Sequence, residues 1–322
     1  MAEIKNLKQD LKNGIYKSVY LLFGEERFLV NHYAKEFEKI NADIDTFDDK
    51  APVQDIIMAA CSLPFLSERR LVFVRDSKLF ASGRKNDSEA MAEFLAKIPA
   101  EAIVVFVEKD VDRRSRMYKK TAEVGRVVDC VPIADLSRWI IMLAKNKGKL
   151  ISPANVNLLT RTVGVNMNTI SQELSKLAAY SGDEHEITPA HIGEVCSPTL
   201  ESRIFDMTKA MGLGQTSKAV SLYNDMLRLK ESPIAVLTMI TRQFRILLLV
   251  KCGIAKGLNK YQIAKELNLH EFIVTDAMKQ IHRFSEERLI QALESCLDTD
   301  VKIKTGLISP EIGVELIICN LY

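Results

Sequence analysis

Residues 19–30 read VYLLFGEERFLV. An unbroken apolar run, Val19 to Phe23, enters Gly24, and the acids Glu25 and Glu26 then lead into apolar positions spaced as a helix start. Strand, glycine and helix in that order form the corner that cradles a phosphate in nucleotide-binding α/β proteins. Here the hook is missing. No Gly-Lys-Ser/Thr follows, and GEERFLVN supplies one glycine with two glutamates that repel a polyphosphate, so the residues read as a structural turn rather than an ATP site.

Outward from this corner, the pattern to about residue 135 alternates between two periods. Strand-like runs occupy 19–24, 71–76, 102–108 and 126–131, with a weaker run, ADIDTFD, at 42–48; helical patterns at 28–40, 52–63 and 88–98 separate them. Nearly continuous apolar strands with helices between them predict a parallel sheet covered on both faces, an α/β three-layer domain. After Pro132 the strand pattern stops. Helices are predicted at 135–148, 152–164 and 166–182, with Ser152-Pro153 and Thr188-Pro189 as helix starts, and this segment, 136–200, reads as a small helical domain. From 201 to 322 the helices lengthen (201–211, 215–230, 232–252, 260–267, 271–282, 285–304 and 309–321), with further starts at Ser232-Pro233 and Ser309-Pro310.

The 322 residues carry 44 basic and 42 acidic side chains, a net charge of +2, so no overall field selects nucleic acid, membrane or acidic substrate as a partner. The six cysteines (61, 130, 196, 252, 296, 319) form no CxxC pair and read as reduced core thiols. The opening MAEIKNLKQDLKNG has no apolar secretory core, and the strongest apolar run, ILLLV at 246–250, is flanked by Arg245 and Lys251 and falls far short of a membrane span. A cytoplasmic protein is expected. The five histidines (32, 185, 191, 270, 282) make no HExxH or other close metal pattern, and no carboxylate set suggests two-metal catalysis.

Three stretches admit a binding role, each beside a plainer one. In CSLPFLSERRLVFV (61–74) a helix ends at Pro64, two bulky apolar residues follow, and a basic pair leads into a strand. Phe65 and Leu66 either project as an apolar anchor for a partner or cap the local core. KDVDRRSRMYKK (109–120) concentrates six cations, either for phosphate backbone or as a solvated face. NKYQIAKELNLHEFIVTDAMKQIHRF (259–284) has helix-turn-helix rhythm in Ile263, Ala264, Leu267, Val274 and Met278, but HEFIVTDAMKQ opens with an acid and is poor in base-reading side chains; bundle packing is the other reading. The acids of VFVRDSK and VVFVEKDVD do not make a convincing Walker B position, and a solvated loop or helix cap accounts for the latter equally well.

Taken together, VYLLFGEERFLV, SLPFLSERRLVFV, VEKDVDRRSRMYKK, ESRIFDMTKAMGLGQTSKAV (201–220), SPIAVLTMITRQFRILLLVK (232–251) and DTDVKIKTG (298–306) resemble the δ subunits of bacterial DNA polymerase III clamp loaders, over essentially the whole chain. The resemblance implies an AAA+-like α/β domain (1–135), a small helical lid (136–200) and a C-terminal helical collar (201–322) that joins a hetero-pentamer. It implies a fold that keeps the shape of a nucleotide motor without its phosphate site, with ATP on the partner γ/τ subunits only and no cofactor of its own. The implied partners are the sliding clamp (β subunit), γ/τ and δ′, and primer–template DNA through the complex, in the bacterial cytoplasm with no membrane. The implied role is to bind and open the clamp ring by inserting a bulky apolar pair. Aligning on ERRLVFV places that pair at Phe65 and Leu66, with Leu63 and Pro64 alongside; the order is Phe-Leu where some members have Leu-Phe, and Pro64 is inserted. Arg113, Arg114, Lys119 and Lys120 are the candidates for contact with DNA or a neighbouring subunit. DTDVKIKTG is assigned to packing or collar contact. The chain is then a component of the polymerase holoenzyme with no catalytic site of its own. Its rivals are an active AAA+ ATPase, opposed by the missing hook, a helix-turn-helix DNA-binding protein, and δ′, whose zinc-binding cysteines and Ser-Arg-Cys are absent here.

Overall fold

Where the apolar runs are longest the backbone is extended: β1 (Val19–Phe23), β2 (Asp43–Phe47), β3 (Arg70–Arg75), β4 (Ala102–Val107) and β5 (Arg126–Asp129). All pair in parallel in the order β2-β3-β4-β1-β5, with Val19 opposite Val104, Arg70 opposite Ala102 and Asp43 opposite Arg70. The computed structural model describes residues 2–65, 67–133 and 135–320, and divides into two compact units, Met1–Ala134 and Asp135–Tyr322.

In the first unit both faces of the central strands are buried, as their unbroken hydrophobicity demands. Val19, Leu21 and Phe23 join the core made with α3 (Val53–Cys61), α4 (Lys85–Phe94) and α5 (Arg116–Val124). On the opposite face Tyr20 meets Phe37 of α2 (Arg27–Phe37) edge-on at 4.7 Å. The charged opening is a helix, α1 (Ala2–Asn13), beside β5. Its Asp10 accepts a hydrogen bond from the Tyr20 hydroxyl at 2.9 Å and pairs with Arg126 at 2.8 Å. The architecture is the α/β class expected, a parallel sheet with helices on both faces.

The second unit is helical. It contains α6 (Leu136–Asn146), α7 (Pro153–Val163), α8 (Met167–Tyr180) and α9 (Pro189–Val195), followed by α10 (Leu200–Gly212), α11 (Thr216–Arg228), α12 (Pro233–Ala255), α13 (Lys260–Glu266), α14 (Glu271–Met278), α15 (Glu286–Lys304) and α16 (Pro310–Asn320). Ser152 and Thr188 cap their helices as their position before a proline predicts, whereas Ser232 makes no side-chain cap. Ile263, Ala264, Val274 and Ala277 of the helix-turn-helix-like segment lie in the same core as α12, and the break falls at Asn268, where φ is +50°.

Two expectations are corrected here. α12 as a whole is 23 residues and, by length and composition, apolar enough to cross a membrane; the short run 246–250 understated it. Its Val236, Leu237, Ile240, Phe244, Leu247 and Val250 are buried in the bundle core, while Ile234, Leu249 and Ile254 are exposed. The cysteines are all free, but only Cys130, Cys196 and Cys296 are buried: Cys61 and Cys319 are exposed, Cys61 because it ends α3 away from the face that buries Val53, Ile56 and Ala60.

A third correction concerns Glu108, which is neither in a solvated loop nor a cap. It follows β4 directly and is 1% exposed. Its carboxylate accepts from the Ser77 N–H at 3.0 Å, from the Ser77 hydroxyl and from the Lys78 N–H, tying the end of β4 to a turn in which Asp76 and Lys78 hold positive φ. Burial pushes its pKa up to about 7 against those bonds. A raised carboxyl pKa favours the protonated folded form, so this stabilisation is complete below the ordinary carboxyl range and is lost as pH rises through about 7. Glu108→Gln, which keeps an acceptor toward Ser77, is expected to gain on the wild type between pH 5 and 8 by up to about 3 kcal/mol, read by urea unfolding at each pH. An unchanged difference between the two proteins across that range contradicts this.

Candidate functional site

Two features lie at opposite ends of the parallel strands: the loop that feeds the start of β3, and the glycine corner after the end of β1.

The loop begins where α3 stops. Pro64 forces an extended residue before it and cannot continue a helix. Ser62 is extended, its N–H donates to the Ala59 carbonyl at 3.2 Å, and its hydroxyl donates to the Met58 carbonyl at 2.8 Å. Beyond it Leu63 is 81% and Phe65 89% exposed, while Pro64 is partly buried. Phe65 and Leu63 therefore do not cap the core. Leu66 lies outside the described residues. Met58, one turn before the end of α3, is also exposed.

The other side of the loop is held by Asp43, the first residue of β2. Its Oδ2 accepts from the Phe65 N–H and its Oδ1 from the Ser67 hydroxyl at 2.8 Å, while the Asp43 N–H donates to the Arg69 carbonyl at 2.9 Å. Nearby, Arg70 pairs with Asp45 at 2.5 Å, and the Arg69 guanidinium lies 5.3 Å from the Tyr16 ring centre. An apolar ring is thus presented to solvent on a backbone fixed at both ends. The sequence reading missed Asp43, taking 42–48 only as a weak strand. Its partners are 22 and 24 residues away, and only the β2–β3 register brings them together.

At the glycine corner the chain packs tightly on Gly24, beside an open hollow lined by Phe23, Gly24, Glu25, Lys109, Arg113 and Asp129. Gly24 has φ +129°, and a Cβ there would sit 2.4 Å from the Cys130 carbonyl oxygen. The Cys130 N–H donates to the Phe23 carbonyl at 2.7 Å, and the Cys130 carbonyl accepts from the Glu26 N–H at 2.9 Å. The N-terminus of α2, where an anion would gain from free amides, is occupied by Glu26, whose carboxylate accepts from the Phe28 N–H at 3.1 Å.

The basic segment after β4 is largely answered by its own acids. Arg113 pairs with Asp129 at 2.5 Å and lies against the Phe23 ring, beside the glycine corner. Arg114 pairs with Asp112 at 3.1 Å, and the Arg114 N–H, then its guanidinium, hold the Asp112 carboxyl below its usual range. Lys120 pairs with Glu123 at 3.0 Å, and Lys119 and Lys120 line an open hollow between α4 and α5 with Arg114, Arg116 and Glu93. These four candidates lie away from the Phe65 loop. Among the described residues no group of three or more His, Cys, Asp and Glu side chains could hold a metal ion.

Two family profiles match this chain. The one described as DNA polymerase III, delta subunit, matches residues 20–131, and the one for the C-terminal domain of the DNA polymerase III delta subunit matches residues 201–321. The delta subunit of DNA polymerase III from Bacillus subtilis (strain 168) is 26% identical over 330 residues, covering 97% of this chain and 95% of that protein. Among solved structures, the Bacillus subtilis DNA clamp loader delta protein is similar over 99% of each chain, at 25% identity and a TM-score of 0.71. The Thermotoga maritima RuvB Holliday junction branch migration motor matches 87% of this chain and 85% of its own at 11% identity and a TM-score of 0.38.

Proposed function

The chain belongs to the family of DNA polymerase III delta subunits, and on that premise we propose that it binds the sliding clamp through Leu63, Pro64, Phe65 and Leu66 and opens the ring without binding ATP. The observation that carries this reading is the loop after α3, where Phe65 stands 89% exposed on a backbone pinned by Asp43. A fully exposed phenylalanine gains roughly 1.5–3 kcal/mol when a partner buries it. Such a side chain, rigidly offered, has the character of an interface anchor.

Opening follows from differential binding. If the clamp receives the loop better when its ring interface is parted, each contact made only in that state shifts the ring toward open. The chain does this as a passive wedge, because no Gly-Lys-Ser/Thr hook follows its glycine corner and its α2 N-terminus is capped by Glu26. ATP then acts on the γ/τ subunits and decides when the loop reaches the clamp. In this reading 136–200 is the lid and 201–322 the collar that joins γ/τ and δ′ in a hetero-pentamer around primer–template DNA. Arg113, Arg114, Lys119 and Lys120 are proposed for contact with DNA or a neighbouring subunit, Lys119 being the least committed of them to internal pairs. The chain has no catalytic site of its own and works in the bacterial cytoplasm, away from membranes, within the polymerase complex.

The test is a titration of the purified chain against its sliding clamp with and without magnesium ATP. Binding is expected in both, with the same Kd, and no stabilisation of the free chain by ATP. A Kd that depends on ATP, or a rise in melting temperature with ATP, contradicts the passive-wedge reading.

A further inference from the structure

We propose that Asp43 is the positioning residue of the docking loop: its carboxylate clasps the backbone of Phe65 and the side chain of Ser67 and so sets the anchor before a partner arrives. The inference rests on the reading that this loop docks on the clamp.

Asp43 opens β2, an edge strand of the sheet, and is paired in register with Arg70, the first residue of β3. The loop 62–69 joins α3 to that neighbouring strand, so it must pass the start of β2. A carboxylate has two oxygens, and here they are divided, Oδ2 to the Phe65 N–H and Oδ1 to the Ser67 hydroxyl. The Ser67 hydroxyl oxygen also lies 3.1 Å from the Arg69 carbonyl, so its single proton is shared between Asp43 and the β3 lead-in. Hydrogen bonds to an ionised acceptor are the stronger kind. Phe65 makes little use of its side chain within the chain, at 89% exposure, so its backbone bond to Asp43 is what fixes it. A loop already ordered loses less conformational entropy on docking, and that saving appears as affinity.

Asp43→Ala is expected to weaken clamp binding about tenfold, mainly by removing this pre-ordering. Asp43→Asn, which keeps one carbonyl acceptor, is expected to recover part of the loss. Two readouts separate this role from general damage. In the free chain, amide exchange of the loop residues, Phe65 among them, is expected to speed up in Asp43→Ala while exchange at Val72 and Val104 in the sheet stays unchanged. In a double-mutant cycle, the tenfold loss is expected to shrink toward none in a Phe65→Ala background, because Asp43 acts through Phe65.

Unchanged loop exchange in Asp43→Ala overturns the proposal, as does faster exchange with unaltered clamp affinity, or an equal loss of affinity in both backgrounds. If Asp43→Ala does not fold, Ser67→Ala, which removes one arm of the clasp, is read by the same exchange and binding criteria. If the wild type binds no clamp, the clamp reading fails and the exchange experiment alone decides: faster loop exchange upholds the clasp and unchanged exchange refutes it.

Discussion

Phe65→Ala is expected to weaken binding to the sliding clamp by about 2–4 kcal/mol, roughly thirtyfold to several hundredfold. The size follows from the position of the ring. At 89% exposure it contributes almost nothing to folding, so its whole apolar surface is available to a partner. The same exposure makes the experiment clean: the variant should melt at the wild-type temperature, since no core contact is lost. Leu63→Ala, at 81% exposure, is expected to act in the same direction with a smaller loss, in proportion to its smaller surface. Wild-type affinity in a Phe65→Ala/Leu63→Ala chain would place the docking surface elsewhere.

Gly24→Ala is expected to cost about 3–5 kcal/mol of stability, read by urea unfolding, combining backbone strain with overpacking. The φ of +129° is outside the range that residues with a Cβ adopt comfortably. The added carbon would meet the Cys130 carbonyl oxygen at 2.4 Å and its nitrogen at 2.7 Å. Neither atom is free to retreat, because the Cys130 N–H and carbonyl are bonded to Phe23 and Glu26. A loss under about 1 kcal/mol would mean that the corner is loose and that its packing does not explain the glycine. Gly24 is thereby assigned to the close approach of β1 and the β5 exit.

The sheet was legible in proportion to its burial. β1 and β4 are covered on both faces, and their residues form unbroken apolar runs that no soluble loop would carry. β2 is an edge strand with Ile44 and Thr46 exposed, so ADIDTFD gave only a faint signal. α12 was harder to size, because Arg242, Arg245 and Lys251 interrupt its hydropathy; Arg242 pairs with Glu201, and Lys251 donates to the Phe284 carbonyl at 2.8 Å.

The exposed loop after α3 was half visible. Bulky apolar residues after a helix-ending proline are a local pattern, but exposure is a property of the fold, and 61–74 alone favoured the core cap over the anchor. The holding group was invisible, since Asp43 is related to Phe65 only through strand register. Glu108 was hidden for the same reason, its partners Ser77 and Lys78 coming from the neighbouring strand's exit. In KDVDRRSRMYKK the cations were read correctly as a cluster, but their neutralisation by Asp112, Glu123 and Asp129 depends on rotamers and on β5.

On the proposed function this chain alone, without nucleotide, shifts the clamp from closed to open. The most direct measurement places a donor and an acceptor fluorophore across one interface of the clamp ring and follows energy transfer as the nucleotide-free chain is added. A saturable fall in transfer, absent with Phe65→Ala at the same concentration, is the predicted result. Saturating binding with unaltered transfer would contradict it, because the chain would then be a tether for the clamp and not the device that opens it.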